Sequence, residues 1–272
     1  LLNLTYFCRS FKENILFNIE TFDIKLNTEF IGRNFIYTEE IDSTNKYLMS
    51  KERAQNINGT VVLAEKQTQG KGRKDRVWYS APDSNLTFSI LLTREKSLFK
   101  NPNLINFAAS LAVASAIENL FQLRTDLKWP NDVLINGKKT CGILIESASQ
   151  SGKIERLVLG IGVNVNQNSF QGTFNYPPTS IRIELGRSVE REKLLAEILN
   201  NLEELFNKLK SEKNSLIEDW KQKCRMLGSR ITITDNEIEK SGIFYDVDEN
   251  GFLLLQTKDG IEKIHFGDVS LH

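Results

Sequence analysis

KWPNDVLINGKKTCGILIES, residues 128 to 147, is the stretch whose reading decides the fold. Two apolar runs, DVLI (132–135) and KTCGILIES (139–147), are joined around Asn136-Gly137. That dipeptide accepts the positive φ angles a tight two-residue loop requires, so the segment predicts a β-hairpin. In a two-residue loop Leu134 lies opposite Lys139. Asp132 is then one diagonal step away, roughly 7–8 Å between backbones, a distance a lysine side chain spans. The same register puts Asn131 and Gly142 on the opposite face. All four serve one site only if Pro130 bends the strand or a bulge intervenes. On spacing alone a surface ion pair beside a turn is the simpler account, contributing about 0–1 kcal/mol.

Working outward, LVLGIGVNV (157–165) is a strand with two unlike faces. Side chains alternate, so Leu159, Ile161, Val163 and Val165 share a core face. Gly160, Gly162, Asn164 and Asn166 share the other. Successive glycines on one face mark a bulge, a close ligand or a close backbone, and a helix packed tightly there reads equally well.

Upstream lies QTQGKGRKDRVWYS (67–80), in which Gly70 to Arg76 holds two glycines, two lysines, two arginines and one aspartate. The chain as a whole is neutral, with 35 Lys+Arg against 35 Asp+Glu, which argues against general coating of nucleic acid or an anionic membrane. Any anion site is therefore local. The loop fits neither GxxxxGK[ST] nor GxGxxG, and a solvated charge run is its bland reading. Arg73 and Arg76 nonetheless suit phosphate or carboxylate, and Trp78 offers a stacking surface.

Around these segments the pattern predicts an α+β chain. FKENILFNIETFDIKL is an amphipathic helix, NFIYTEEI a strand, and Asp42-Ser43-Thr44-Asn45 a set of candidate caps for the helix NKYLMSKERA. VVLAEKQ and NLTFSILL are strands, and Asn101-Pro102 opens a long Ala-rich helix. NQNSFQGTFNYPPTS reads as a mobile loop. The helices REKLLAEILNNLEELFNKLK and NSLIEDWKQKC follow. From Ser229 short alternating pieces predict a small all-β tail of about five strands. Its Tyr245, Phe252, His265 and Phe266 read as the tail's own core rather than a peptide groove.

Three well-separated cysteines (8, 141, 224) and two histidines offer no zinc pattern, and reduced thiols are expected. No apolar run is expected to reach the ~18 residues of a membrane span, and the N-terminus does not read as a signal peptide. A cytoplasmic protein is expected.

Four stretches together resemble the biotin protein ligase family: IDSTN (41–45), QTQGKGRKDRVW (67–78), KWPNDVLINGKKTCGILIES and LGIGVNVN (159–166). The likeness runs over roughly residues 30 to 272. It implies a mixed sheet with helices on one side, of the class II synthetase-like kind, and a small SH3-like β-barrel. The expected division is an N-terminal extension (1–30), a catalytic domain (31–228) and a C-terminal β domain (229–272). The lead-in is similar to that of eukaryotic-type holocarboxylase synthetases and too short for a DNA-binding winged helix, so no repressor role and no nucleic-acid partner are expected.

The resemblance further implies ATP-dependent formation of biotinyl-5′-AMP with Mg²⁺, then transfer of biotin to one lysine of a biotin carboxyl carrier domain. It assigns Ser43, Thr44, Asn45, Gln67, Gly70, Lys71, Arg73, Lys139, Gly142 and Gly160 to biotin. Arg73, Arg76, Trp78, Asn131, Lys139 and Asn164 go to ATP and the adenylate, and Asp132 to the metal. Gly162 is to give backbone access to ligand. Lys139 and Arg73 are the catalytic candidates. Lys71 and Asp75 depart from many bacterial relatives. The related lipoate and octanoate ligases lack the basic loop and KWPND, and a binding module would have no use for Lys139, Arg73 and Trp78 together. Oligomeric state is left open.

Overall fold

Two sheets carry the chain in the computed structural model, which describes residues 16–52, 55, 57–93, 99, 101–151, 153–174, 176–235, 238–265 and 267–271, and the backbone of 5–6. The larger sheet has eight strands: β1 (Thr5–Tyr6), β2 (Phe35–Ile41), β3 (Val61–Gln67), β4 (Leu86–Leu92), β5 (Thr125–Lys128), β6 (Asp132–Ile135), β7 (Lys138–Gln150) and β8 (Lys153–Val163). Their order is β1-β2-β3-β4-β8-β7-β6-β5. It is mixed, as expected: β2 runs parallel to β1 and β3, and the remaining pairs are antiparallel.

One face of this sheet is the core. Leu159, Ile161, Val163 and Val165 are all buried in it, matching the alternation of the sequence. The helices α1 (Ile19–Lys25), α3 (Pro102–Phe121), α5 (Arg191–Ser211) and α6 (Lys213–Lys223) belong to that layer. Along α5 the spacing Leu195, Ile198, Leu199, Leu202, Phe206, Leu209 makes one continuous apolar stripe. The alanines 108, 109, 112 and 116 let α3 sit deep between sheet and α5. Phe107 stacks on Trp220 of α6 with centroids 4.0 Å apart and planes 5° apart. By length and composition α3 could cross a membrane, with a mean hydropathy of 1.5, contrary to the expectation that no run qualifies. In this fold most of α3 is buried, from Leu104 to Ile117.

On the opposite face, among the described residues, the helix is the short α2 (Thr44–Met49), seated over β3, β4 and β8 with Leu48 against Val62, Leu91 and Val158. That leaves most of the face beyond α2 open for the basic loop.

The second sheet is formed by β9 (Arg230–Asp235), β10 (Ile238–Val247), β11 (Leu253–Thr257), β12 (Gly260–Ile264) and β13 (Asp268–Leu271), in the order β12-β11-β10-β9-β13. Five strands were expected and five occur. The barrel does not close: among the described residues β12 and β13 remain separate edges. Its core is Ile231, Ile233, Phe244, Val247, Leu253, Leu255, Ile264 and Val269. Tyr245, expected inside, is 53% exposed, because Phe244 takes the inward position beside it. Phe252 packs on His265 at 4.4 Å, and Phe266 lies outside the described residues.

Three further corrections concern lengths. The helix expected over 11–26 is the seven-residue α1, capped by Asn18, with Leu16 and Phe17 outside it; residues 11–15 of that expectation lie outside the described residues. The helix after Asn45 stops at Met49, where Ser50 takes extended φ/ψ. Strand β5 and the five-residue α4 (Ile181–Leu185) had no counterpart in the sequence reading.

Candidate active site

The hairpin register is the feature that builds the site. Asn136 and Gly137 take φ of 50° and 72°, so the turn is as expected, and Leu134 faces Lys139. Beyond that pair the register shifts: Val133 pairs with Cys141 and Asp132 with Gly142. Thr140 is the extra residue, a β-bulge. The shift carries Gly142 to the face that holds Lys139 and Asp132, which meets the condition set by the sequence.

The pairing then continues in one row. Gly162 lies opposite Gly142, Gly142 opposite Asp132, and Asp132 opposite Lys128. Directly opposed residues share a face, so these four stand side by side across four strands.

At the centre of the row Lys139 Nζ is 2.7 Å from Asp132 Oδ1. That oxygen is nevertheless buried without a well-angled hydrogen bond among the described residues, so the contact is one of charge. The backbone of Lys139 is pinned from the far side: its N–H donates to the Pro177 carbonyl, and its own carbonyl accepts from Thr179 N–H, both at 2.8 Å.

The basic loop lies against this hairpin. The loop is closed by its own backbone. Gly72 N–H donates to Arg76 O at 2.6 Å, Trp78 N–H donates to Gly70 O at 3.0 Å, and Lys71 bridges to Val77. A Cβ on Gly70 would lie 2.4 Å from the Trp78 carbonyl, so this closure needs glycine. Lys74 takes a left-handed φ of 53° at the tip.

Arg73 donates to Asn131 Oδ1 at 3.2 Å. Burial pushes the Arg73 guanidinium below its usual range, with the Asp132 charge opposing that shift. On its other side Arg73 sits 3.7 Å from Asp268 of β13, which also pairs closely with Arg76. Lys74 pairs with Asp235 at 2.9 Å. In this structure the C-terminal sheet thus holds three of the loop's cations. Lys71 is exposed and makes no side-chain contact with the cluster among the described residues, and the Asp75 side chain lies outside them.

Trp78 lies on the glycine floor. A Cβ at Gly162 would come within 2.4 Å of its ring, and one at Gly142 within 3.0 Å. Its Nε1 is buried without a hydrogen bond among the described residues, and Lys139 Nζ stands 5.8 Å from the ring centroid. The two glycines therefore open the floor to Trp78, where access for ligand was expected.

At the other end of the face Thr44 and Asn45 open α2, and Ser43 is its N-cap, accepting from Lys46 N–H. Thr44 donates to Gln67 Oε1 from its N–H (2.7 Å) and its hydroxyl (3.0 Å). Asn45 Nδ2 donates to Glu146 Oε2 at 2.7 Å, and the Ser89 hydroxyl lies 2.6 Å from both Thr44 Oγ1 and Asn45 Oδ1. A Cβ on Gly160 would be 2.3 Å from Asn45 Oδ1. The tightly packed element suspected over this strand is α2.

The structure therefore gathers Lys139, Asp132, Asn131, Arg73, Gly142 and Trp78 in one cluster, and Thr44, Asn45, Gln67 and Gly160 in an adjoining one. The strand that was expected to carry Asn164 stops one residue short of it. Beta-strand geometry ends at Val163, and Asn164 Nδ2 donates to the Thr179 carbonyl at 3.0 Å, holding the loop before α4. Its Oδ1 is buried without a hydrogen-bond partner among the described residues. Asn166 clamps Val189, donating and accepting at 2.9 Å. Ser89 and Glu146 were missed; the polar alternation Thr87, Ser89 within NLTFSILL was their available signal. Trp129 was missed too: its Nε1 donates to Gly251 O at 3.0 Å, joining hairpin and C-terminal sheet.

Known proteins resemble this chain in sequence and fold. Residues 37–164 match the biotin/lipoate A/B protein ligase family, and 226–272 match the biotin protein ligase C-terminal domain. The chain is 34% identical over 253 residues to the bifunctional ligase/repressor BirA of Bacillus subtilis, covering 90% of this chain and 76% of that one. It is 30% identical over 239 residues to the biotin–[acetyl-CoA-carboxylase] ligase of Paracoccus denitrificans, covering 84% and 96%. The fold matches biotin protein ligase from Aquifex aeolicus in complex with biotin and ATP, with a TM-score of 0.77, 29% identity, and coverage of 88% of this chain and 98% of that one. The chain belongs to the biotin protein ligase family.

Proposed function

We propose that this protein activates biotin with ATP as biotinyl-5′-AMP and transfers biotin to one lysine of a carboxylase's biotin carboxyl carrier domain. The observation that carries this is the Lys139–Asp132 pair beside Arg73, in a family member whose structural relative binds biotin and ATP.

In the first step a biotin carboxylate oxygen bonds to the α-phosphorus. The α,β-bridging bond breaks, and its electron pair leaves with pyrophosphate. Two anions must approach. At 4 Å like unit charges repel by ~1 kcal/mol in water and ~4 kcal/mol at an effective dielectric of 20. Positioned cations remove that barrier without reorganising at the moment of reaction. Lys139 is assigned to bridge the carboxylate and α-phosphate, Arg73 to hold both, and Arg76 to exchange Asp268 for phosphate. Gln67, Ser43, Thr44, Asn45, Gly70, Lys71, Gly142 and Gly160 are assigned to the biotin side. Trp78 and Asn164 are assigned to adenine, with the orphaned Trp78 Nε1 and Asn164 Oδ1 available to a ligand. In the second step the neutral carrier amine attacks the acyl carbon, AMP departs, and the amine loses its proton.

Asp132 would offer Mg²⁺ a single carboxylate: Lys139 stands 2.7 Å from Oδ1, while Oδ2 lies 3.9 Å from Lys128, beyond hydrogen-bond range, and is the oxygen left to a metal. Mg²⁺ typically takes one or two carboxylates beside waters and phosphates, and would supply further neutralisation of the triphosphate. Among the described residues no group of three His, Cys, Asp or Glu side chains assembles.

The test is carrier labelling with biotin, ATP and Mg²⁺. Biotin on one carrier lysine is expected. Labelling with lipoate instead would move the chain to the lipoate branch. A cytoplasmic location belongs to the same proposal.

A further inference from the structure

Lys128 has no role in the scheme above, yet it ends the row Gly162–Gly142–Asp132–Lys128. It is only 7% exposed. Its Nζ is 3.9 Å from Asp132 Oδ2, beyond hydrogen-bond range, and 4.9 Å from the centroid of the Tyr176 ring. An ammonium has three donors, and among the described residues none of these three makes a hydrogen bond.

Asp132 does not by itself account for this charge. Its closer partner is Lys139, at 2.7 Å, so two ammonium groups share one carboxylate. Arg73 and Arg76 also act on Lys128 electrostatically, and both repel it. Taking an ammonium out of water costs several kcal/mol, so an apolar side chain would be the more stable occupant. A cation held here against its own neighbours becomes favourable when a multiply charged anion arrives. The position within the row says which part of that anion. Strands are spaced ~4.7–4.9 Å apart, so Lys128 lies two strands beyond Gly142, on the side away from α2 and Asn45.

We propose that Lys128 is a further substrate-binding residue of the first half-reaction: it receives the β- and γ-phosphoryl oxygens of ATP and stabilises pyrophosphate as the α,β-bridging bond breaks. Lys139 is thereby left to the carboxylate and α-phosphate. Tyr176 covers Lys128 from the loop whose Pro177 carbonyl holds Lys139 N–H, so both lysines are set by one segment.

This rests on the ligase reading, and the experiment separates the two. Biotin-dependent exchange of labelled inorganic pyrophosphate into ATP is measured for the wild type, K128Q and K128R. Transfer from purified biotinyl-5′-AMP to a carrier domain is measured alongside. Expected for K128Q are KM values for ATP and pyrophosphate raised at least tenfold, transfer from preformed adenylate within twofold of wild type, and partial recovery in K128R. Unchanged KM values in K128Q would overturn the proposal alone. So would parallel loss of exchange and adenylate transfer, which would make Lys128 a structural counter-charge. A wild type without exchange would overturn the ligase reading and this proposal with it.

Discussion

Gly142 joins Lys139 and Asp132 on one face because one extra residue, Thr140, enters the hairpin. The lysine's partner was legible from spacing, since the Asn-Gly turn fixes Leu134 opposite Lys139. The bulge was legible only as a condition, because nothing in Thr140-Cys141 marks an unpaired residue in the way a glycine would. The floor glycines were visible as a pattern, but their neighbours were not: which side chain fills a glycine face depends on chain brought from elsewhere. Gly160 illustrates the consequence. Gly160→Ala would force Asn45 Oδ1 from a position 2.3 Å from the new Cβ, breaking its contacts with Glu146 and Ser89. The expected outcome is a KM for biotin raised at least tenfold, with a smaller change for ATP, read by steady-state kinetics.

Among elements, the segment between β8 and α4 is held by Glu184. Its carboxylate accepts from Thr179 Oγ1 at 2.5 Å, Asn136 Nδ2 at 2.7 Å and Lys138 Nζ at 3.3 Å, tying this loop to the hairpin turn. Burial pushes the Glu184 carboxyl up, but these three hydrogen bonds outweigh it and hold the group below the usual carboxylate range. A depressed folded value contributes stability above the unfolded value of about 4.3, and that stability is lost as pH falls through the folded value. Glu184→Gln should therefore lower the Tm near neutral pH, with the gap to wild type closing as pH drops below about 4. A gap independent of pH would contradict this. The same elements show where sequence reading ran out. TDLK at 125–128 is too short for alternation to register, and α4 is barely more than one turn. The first helix read too long because its apolar residues continue into Leu16 and Phe17, whose backbone leaves helical geometry where Asn18 caps.

At the scale of the molecule, a buried pair joins the layers. Arg191 opens α5 and donates to Glu65 of β3 at 2.6 and 3.0 Å, and to the Asn85 carbonyl at 3.0 Å. Glu65 also accepts from Tyr37 Oη at 2.9 Å, and burial, with the Glu65 charge, drives the Tyr37 phenol well above its usual range. Removing one member leaves a buried charge uncompensated, so Arg191→Met should cost about 3–5 kcal/mol in urea unfolding. A loss under 1 kcal/mol would count against that assignment. The C-terminal sheet is joined more locally, through Trp129 to Gly251 and through Asp268 to the basic loop. Arg73, Lys74 and Arg76 are thus held where the two sheets meet. The measurement that bears most directly on this account is incubation of the protein with biotin, α-labelled ATP and Mg²⁺, without carrier. Biotinyl-5′-AMP should form, and should fall by about 10²–10³-fold in Lys139→Ala. Adenylate formed equally well by the variant would contradict the role given to Lys139, and no adenylate from wild type that still binds biotin would make the protein a binder rather than a ligase.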